Sequence, residues 1–237
     1  MIQPMSVTIL PLGDHAITII FGDTIDEDIN QQVLSFFNCL KKQNITGVKD
    51  IIPTYTSVTV VYDIMTIQKR DNTVSAFDYM NHEIEKALQN VDSIKTEAEK
   101  IISIPVCYDI SLGIDLEEMA GQKNLSIEEI VELHSAVTYR VYMIGFMPGF
   151  PYMGKVNDKI VAQRKNSPRK KVVAGSVGIA EFQTGIYPFD SPGGWNIIGQ
   201  TPMMMFNTHY IESCLLKPGD KVNFVPISLH EFYLLKS

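Results

Sequence analysis

The sequence predicts an α+β protein, with a small α/β sandwich domain over residues 1–92 followed by a mostly β domain over residues 100–237. Two observations carry this prediction. The first ninety residues repeat a strand–strand–helix pattern twice, and from residue 101 onward short β-type segments alternate with glycine and proline turns. Segment 91–100 is polar and lacks hydrophobic periodicity, so it is the predicted boundary. Closure of the second domain into a barrel would leave it without exposed strand edges.

The hydrophobic periods of the first domain define its elements. Alternating apolar residues predict strands over residues 6–10, 16–21, 48–53 and 57–62. Apolar residues at helical spacing predict helices over residues 26–43 and 74–90. Nothing in this domain has the pattern of a catalytic site, because His15 and His82 stand alone.

The second domain combines strands with two predicted helices. Asp115-Leu-Glu-Glu118 and Ser126-Ile-Glu-Glu129 are capping-box patterns, which predict helix starts near Asp115 and Ser126. The predicted strands cover residues 101–106, 139–144, 171–173, 176–180, 195–198, 203–206, 221–226 and 231–235.

Residues 145–202 are the most informative stretch of the chain. They hold nine of the fifteen glycines and six of the twelve prolines, together with seven aromatic residues. Glycine permits turns and close approaches, proline fixes φ, and the aromatic residues supply anchors that a disordered tract lacks. This stretch is therefore predicted to form folded, shaped loops between strands.

Charge and composition exclude several classes of protein. The chain is 45% hydrophobic and has a net charge of −7, which disfavours nucleic-acid binding, and it has no apolar run long enough for a membrane span. Residues 145–202 nevertheless carry a local charge of +4, with a basic cluster at residues 164–171. This cluster is either an anion site or a solvated loop, and charge alone leaves both interpretations open.

Several common sites are absent from the sequence pattern. The three cysteines are far apart and the histidines lack ligand spacing, so we expect no disulfide framework and no metal site. The N-terminus has no signal-peptide pattern, which predicts a cytoplasmic protein. Gly149–Lys155 resembles a P-loop, but Val156 replaces the required Ser or Thr and Pro151 removes an amide. Ser176 lacks the glycine of a nucleophile elbow, because Ala174 is there.

Five motifs in fixed order resemble one family. They are Gly145-Phe-Met-Pro-Gly-Phe-Pro-Tyr152, Ala174-Gly-Ser-Val-Gly178, Gln183-Thr-Gly-Ile-Tyr-Pro188, Ser191-Pro-Gly-Gly-Trp195 and Gly199-Gln-Thr-Pro202. Together they are similar to the PxpB family, the B-type component of 5-oxoprolinase, which includes the sporulation-kinase inhibitor KipI. They are also similar to the carboxyltransferase subunit 1 region of allophanate hydrolase and urea amidolyase proteins.

The resemblance implies a cyclophilin-like β-barrel for the second domain and a role in opening 5-oxoproline to glutamate at the expense of ATP. It implies companion subunits, PxpC-like and PxpA-like, and an ATP site held by or shared with a companion, so that this chain alone is inactive. Two alternatives remain: a KipI-like inhibitor of a sensor histidine kinase, and an allophanate hydrolase or urea carboxylase-type component.

The implied substrate indicates which polar residues would bind it. Arg164 and Arg169 suit a carboxylate, because a guanidinium offers paired donors, and Gln183 and Thr184 suit a ring amide. The family usually has arginine at position 200 and glycine at position 181, where this chain has Gln200 and Glu181. Carboxylate binding is therefore expected at the two arginines rather than at Gln200.

The remaining predicted site residues lie in the loops around the barrel mouth. Tyr187 and the Gly193-Gly194-Trp195 turn would form a wall where backbone amides approach the ligand and an indole packs over it. His134 falls on the buried face of its predicted helix and is the candidate for proton transfer. The open alternative is that the loops serve only as turns and subunit interface, with His134 in the core.

Overall fold

The structure, a computed structural model, describes residues 7–70, 73–90, 101–209 and 213–236. The chain divides into two compact units, Met1–Ala98 and Glu99–Ser237. The predicted boundary segment 91–100 lies outside the described residues, so the exact domain boundary stays a prediction. Within the described ranges, no helix is long and apolar enough to cross a bilayer.

The first unit is a four-stranded antiparallel sheet covered by helices. Its elements are β1 Thr8–Pro11, β2 Ala16–Ile20, α1 Glu27–Gln43, β3 Val48–Pro53, β4 Ser57–Tyr62, α2 Ile64–Arg70 and α3 Ala76–Leu88. The strand order is β1-β2-β4-β3. Helix α1 begins where predicted, because the Asp26 carboxylate accepts from the backbone N–H groups of Asp28 and Ile29. The buried faces of α1 and α3 pack with β2 and β4 in one hydrophobic core.

Helix α2 has no counterpart among the predicted elements. Its start is marked by Asp63, whose carboxylate accepts hydrogen bonds from the N–H groups of Met65 and Thr66 at 2.9 and 3.2 Å. The helix has only seven residues and buries only Ile67. A segment this short shows too few turns of hydrophobic period to be recognised in the sequence.

The second unit is a closed seven-stranded barrel, which confirms the predicted α+β class with a β-barrel. Its elements are β5 Ile101–Cys107, α4 Leu116–Lys123, α5 Ile127–Ser135, β6 Thr138–Ile144, β7 Pro151–Gly154, β8 Arg169–Val172, β9 Ser176–Ala180, β10 Gln183–Ile186, β11 Ser191–Gly193, β12 Asn196–Gln200, β13 Lys221–Ile227 and α6 Leu229–Lys236. The order around the barrel is β10-β7-β6-β13-β5-β12-β9, and β8 and β11 form a separate two-stranded ribbon.

The barrel strands bury side chains on both faces. Val177, Ile179, Ile186 and Ile198 belong to the large core inside the barrel. Their sequence neighbours point the other way, because successive side chains of a strand alternate between faces. A second cluster on the outer face accordingly contains Phe150, Val172, Ala180, Tyr187, Trp195 and Ile197.

Two predicted strands of the second unit are wrong. Residues 231–235 lie in helix α6, because Ser228 and Glu231 bond reciprocally: the Ser228 N–H donates to Glu231 Oε2 at 2.8 Å, and the Glu231 N–H donates to Ser228 Oγ at 3.2 Å. This capping box outweighs the strand propensity of the aromatic residues that follow. Residues 203–206 make only one isolated bridge, between Phe206 and Cys214.

Candidate functional site

A cleft of about 330 Å³ lies on the outer face of the barrel, where the β8–β11 ribbon meets the wall. Its lining residues are Phe146, Phe150, Tyr152, Arg164, Pro168, Tyr187, Pro192, Gly193, Gly194 and Trp195. The sequence predicts a site at the barrel mouth, which stays a prediction, whereas this cleft lies on the side wall. The reason is that the barrel interior is filled by its own hydrophobic core, so the open space lies above the outer cluster.

Two glycines of the barrel wall make room for the aromatic residues of the cleft. A Cβ on Gly185 would lie 2.8 Å from Cζ of Phe150, and a Cβ on Gly178 would lie 3.1 Å from Cβ of Trp195. Both contacts are closer than ordinary packing permits. The two side chains therefore rest directly on the backbone of β9 and β10, which forms the floor beneath the cleft.

The aromatic rings hold one another in edge-to-face contacts. The Phe150 ring centroid is 4.9 Å from that of Tyr152, 5.2 Å from that of Tyr187 and 5.4 Å from that of Trp195, with interplanar angles of 60° to 85°. Edge-to-face pairs of this kind favour a fixed arrangement of rings. The cleft therefore has rigid, largely apolar walls before any ligand enters.

Tyr187 is the polar group fixed most firmly in these walls. Burial raises the pKa of its hydroxyl, and the hydrogen bond from the backbone N–H of Trp195 opposes that shift. Burial likewise raises the pKa of Tyr152, against the attraction of the Arg164 charge. Both phenols are protonated at neutral pH and can serve as neutral hydrogen-bonding groups.

Arg164 is the only charged residue among those that line the cleft. Its guanidinium carbon lies 6.0 Å from the Trp195 ring centroid. Over the described ranges it has no ion pair, whereas neighbouring Lys165 and Arg169 both do. The cleft thus presents one uncompensated guanidinium beside aromatic walls, an arrangement suited to a small planar anion.

Arg169, predicted to bind a carboxylate of the ligand, is already paired with a carboxylate of the protein. Its Nη2 lies 2.5 Å from Oδ1 of Asp115, and Lys165 Nζ lies 3.0 Å from the same oxygen. The other oxygen, Oδ2, accepts from the Ile197 N–H at 2.7 Å. Burial would raise the pKa of Asp115, but the bonds from Arg169, Ile197 and Lys165 outweigh it and hold that pKa below its usual range.

The predicted capping box at Asp115 does not form. Asp115 occupies the N-cap position of α4, but its side chain makes no capping hydrogen bond. The carboxylate is turned instead toward the two cations and the Ile197 amide, and Glu118 bonds Lys165 Nζ at 2.5 Å. The box predicted at Ser126 does form, with both reciprocal bonds present. The contrast identifies Asp115 as a residue whose side chain serves the cleft wall.

His134 and Thr184 lie together inside the barrel and do not line the cleft. His134 is completely buried, and its ring stacks on Phe224 at 4.7 Å between centroids. Its Nδ1 is 2.8 Å from the Tyr108 hydroxyl, and its Nε2 is 2.9 Å from the Thr184 hydroxyl. Because Thr184 donates to the Gly178 carbonyl at 3.1 Å, the network assigns the histidine proton to Nε2.

Burial lowers the pKa of His134 to about 3, so the ring is neutral at physiological pH. This environment matches the core histidine that the sequence left open, although a role in proton transfer stays a prediction. Gln183, the remaining predicted residue, is half-buried in β10 opposite Gly154 and does not line the cleft either. The structure thus brings together Arg164, Tyr187, Gly193, Gly194 and Trp195, and their role in binding stays a prediction.

Sequence reasoning places the loop 146–152, which carries Phe150 and Tyr152, at the predicted site without a role for either residue, and it missed Asp115. Phe150 and Tyr152 are two residues apart, and side chains two residues apart in an extended segment point to the same side. This spacing was the available signal that both rings face the outer wall of the barrel. For Asp115 the sequence was misleading, because its capping-box pattern predicted a side chain that caps α4. Throughout the described ranges, no group of three or more His, Cys, Asp or Glu side chains could hold a metal ion.

Comparison with known proteins assigns the chain to a class. The chain belongs to the carboxyltransferase domain family, subdomains C and D, whose model matches residues 7–216. Within it, the chain is 40% identical over 227 residues to the B-type component of 5-oxoprolinase from Bacillus subtilis (strain 168), covering 95% of both chains. It is 41% identical over 172 residues to the corresponding 5-oxoprolinase component of Escherichia coli O157:H7, covering 65% of this chain and 78% of that one. The resemblance seen in the sequence motifs is confirmed.

The fold recurs in a solved structure. The crystal structure of TTHA0988 superposes with a TM-score of 0.75 and 33% identity, over 90% of this chain. The match covers 40% of the TTHA0988 chain, so this chain corresponds to less than half of that protein.

Proposed function

We propose that this chain is the PxpB component of an ATP-dependent 5-oxoprolinase and that the cleft beside Arg164 binds 5-oxoproline. The observation that carries the proposal is the guanidinium of Arg164 in the aromatic cleft, which has no ion pair in the part of the chain that the structure describes. The chain is also about as long as its 5-oxoprolinase relative from Bacillus subtilis. The ligand is a flat five-membered ring with one carboxylate. The carboxylate pairs with Arg164, the ring packs on Trp195, and the hydroxyls of Tyr152 and Tyr187 face its amide.

The proposed reaction needs ATP because the ring amide is a poor electrophile. Transfer of the γ-phosphoryl group to the amide oxygen makes the ring carbon reactive. One water then opens the C–N bond and a second releases phosphate, so that one ATP and two waters give glutamate, ADP and phosphate. In this scheme the chain binds and orients the ring, and the cleft walls exclude other water.

The proposed ATP site lies on a companion or is shared with one. Within this chain, the P-loop-like Gly149–Lys155 segment runs into strand β7 from residue 151, which is incompatible with a phosphate-binding loop. The companions are PxpC-like and PxpA-like subunits. Exposed aromatic and methionine side chains of the second unit offer a surface for them: Phe146, Phe182, Phe189 and Met204.

Reconstitution tests the proposal. The three subunits together should release glutamate from 5-oxoproline and ATP, mixtures that lack this chain should not, and the chain alone should be inactive. Size-exclusion chromatography of the chain co-expressed with its PxpC-like companion should show a stable hetero-oligomer. Full turnover without this chain, or by this chain alone, would refute the proposal.

The proposed function and its two alternatives predict different phenotypes for a strain that lacks the gene. A gene deletion should abolish growth on 5-oxoproline as nitrogen source if the chain is an enzyme component. A KipI-like inhibitor would leave that growth intact and instead lower autophosphorylation of a sensor histidine kinase. An allophanate hydrolase or urea carboxylase-type component would affect growth on urea. No structural observation favours either alternative.

A further inference from the structure

Among the residues of the second unit that the structure describes, Asp115 is the most deeply buried carboxylate, with 1% of its surface exposed. Its two oxygens make three close contacts, with Lys165 Nζ, Arg169 Nη2 and the Ile197 N–H. All three partners adjoin the cleft. Lys165 follows Arg164, Arg169 follows Pro168, and Ile197 lies two residues beyond Trp195. One buried carboxylate therefore contacts two of the segments that line the cleft, the one that carries Arg164 and Pro168 and the one that carries Trp195.

The contacts fix the wall that carries Arg164. The Lys165 N–H donates to the Gly194 carbonyl at 2.7 Å, which joins segment 164–169 to the glycine turn of the opposite wall. Asp115 holds both ends of that segment through Lys165 and Arg169. The backbone leading to Arg164 is thereby restrained on both sides, while its own side chain has no ion-pair partner in the described ranges.

The same contacts set the charge of the cleft. Lys165 and Arg169 contribute two positive charges, and Asp115 and Glu118 contribute two negative charges within ion-pair distance. This four-residue cluster is therefore neutral. Arg164 remains as a single positive charge at the cleft. Asp115, Lys165 and Arg169 are buried or partly buried, so their charges are only partly screened, whereas Arg164 is exposed to solvent. Removing one member of the cluster changes the potential at Arg164 to the extent that solvent does not screen it.

We propose that Asp115 is a specificity-determining residue: together with Glu118 it neutralises Lys165 and Arg169 and leaves the cleft one free positive charge, so that singly charged carboxylates bind in preference to doubly charged anions. The identity of the carboxylate rests on the proposed function, but the charge selectivity does not. Asp115 acts through Lys165 and Arg169 and does not line the cleft itself.

The test exploits the sole tryptophan of the chain, Trp195, whose fluorescence reports ligands in the cleft. The full-length chain is titrated with inorganic phosphate at pH 7.5 and, separately, with 5-oxoproline. Asp115→Asn, which removes the ion-pair partner of Arg169 and gives the four-residue cluster a net charge of +1, should bind phosphate at least about tenfold more tightly than wild type. Arg169→Gln, which leaves an excess negative charge, should bind phosphate several-fold more weakly.

If Asp115 controls the charge of the cleft, the two substitutions should change phosphate affinity in opposite directions. If Asp115 only held the fold, both substitutions would loosen the wall and both would weaken phosphate binding, and that result would overturn the proposal. Should Asp115→Asn fail to fold, Glu118→Gln replaces it. Glu118 is half-exposed, pairs with Lys165 and accepts a hydrogen bond from Gln122 Nε2 at 2.9 Å. Its neutralisation should also tighten phosphate binding, by a smaller factor because solvent screens it. Phosphate affinity equal to wild type would again reject the idea.

Asp190→Asn is the matched control. Asp190 also pairs with a lysine, Lys171, at 2.7 Å and accepts a backbone N–H, from Ala174, but it is exposed and does not line the cleft. The Asp190→Asn protein should bind phosphate with the same affinity as wild type. Because phosphate binding needs neither companions nor turnover, failure of 5-oxoproline to bind would count against the proposed function and leave the charge test intact.

Discussion

The Tyr187 ring occupies the space that a side chain on Gly193 would need. A Cβ at Gly193 would lie 2.8 Å from Cε1 and Cζ of Tyr187, whose ring is 1% exposed and packed against Phe150. The neighbouring Gly194 is different, since a Cβ there would meet the Lys165 carbonyl oxygen and Pro168 Cγ at an ordinary 3.6 Å. Two adjacent glycines of one turn therefore have different roles.

The first prediction compares these two glycines. Gly193→Ala should displace Tyr187, lower stability by about 1–3 kcal/mol and weaken 5-oxoproline binding at least about tenfold, because a buried ring cannot move without strain. Gly194→Ala should behave as wild type in both respects. The measurements are urea denaturation and Trp195 fluorescence titration. Equal effects of the two substitutions would show that the close approach to Tyr187 does not matter.

The second prediction concerns Arg164. Arg164→Gln should raise KM for 5-oxoproline in the reconstituted complex and lower kcat/KM at least about tenfold, which corresponds to roughly 1.4 kcal/mol. Assembly and melting temperature should not change, because Arg164 makes no ion pair in the described part of the chain. Lys170→Gln, an exposed cation in the same basic cluster, is the control and should retain full activity. Full activity of Arg164→Gln would remove the carboxylate site from this cleft.

The third prediction follows from the buried His134. Complete burial lowers its pKa to about 3, whereas an unfolded histidine titrates near 6.5. As the pH falls below about 6.5, the unfolded chain takes up a proton that the folded chain cannot, so the barrel loses stability. The stability is fully present above pH 6.5 and declines toward pH 3, by about 2 kcal/mol between pH 6.5 and pH 5.

Urea denaturation followed by Trp195 fluorescence measures this effect, since Trp195 reports on the second unit alone. His134→Gln is the comparison, because glutamine preserves hydrogen-bonding groups but does not titrate. This variant should be less stable at pH 7 and show a shallower loss between pH 6.5 and pH 5. An unchanged pH dependence would place the acid sensitivity elsewhere in the molecule.

The fourth prediction concerns Glu181, at a position where the resemblance stated from the sequence motifs leads us to expect glycine. Glu181 has φ +54°, in the left-handed region that glycine adopts without strain. It is exposed, so its side chain buries nothing. Glu181→Gly should therefore keep or raise the melting temperature, while Glu181→Val should lower it. The control is Glu132→Gly, at an exposed position within α5, which should lower the free energy of unfolding by about 1 kcal/mol. If Glu181→Gly lowered stability as much as Glu132→Gly does, the explanation from the left-handed backbone of Glu181 would be contradicted.

The sequence predicted the elements whose hydrophobic periods were long. Strands β3, β4 and β9 have the predicted bounds, and α1 starts one residue after the predicted start of its helix. Helix α2 was missed because it is short, but two other failures share a different cause, which is that side-chain contacts decide the outcome. Ser228 and Glu231 convert a predicted strand into helix α6. Asp115 has the same sequence signal as Ser126, yet distant cations divert its carboxylate.

The candidate site was predictable in chemistry but not in position. The glycine–tryptophan turn and Arg164 were identifiable as residue types with suitable donors and walls. Their meeting place was not, because it depends on which face of each strand points outward. His134 shows the same limit, since helical spacing indicates a buried face without showing whether that face meets a cleft or a closed core.

The position of β13 determines when the barrel can form during synthesis. This strand is the last of the barrel in sequence, yet it lies between β5 and β6, the first two. A nascent chain can complete the sheet of the first unit once residue 88 has emerged, but β5 and β6 keep unpaired edges until residue 227 leaves the ribosome. Ribosome stalling before residue 221 would therefore release a protein with a folded first unit and an open second one, a substrate for proteases and chaperones.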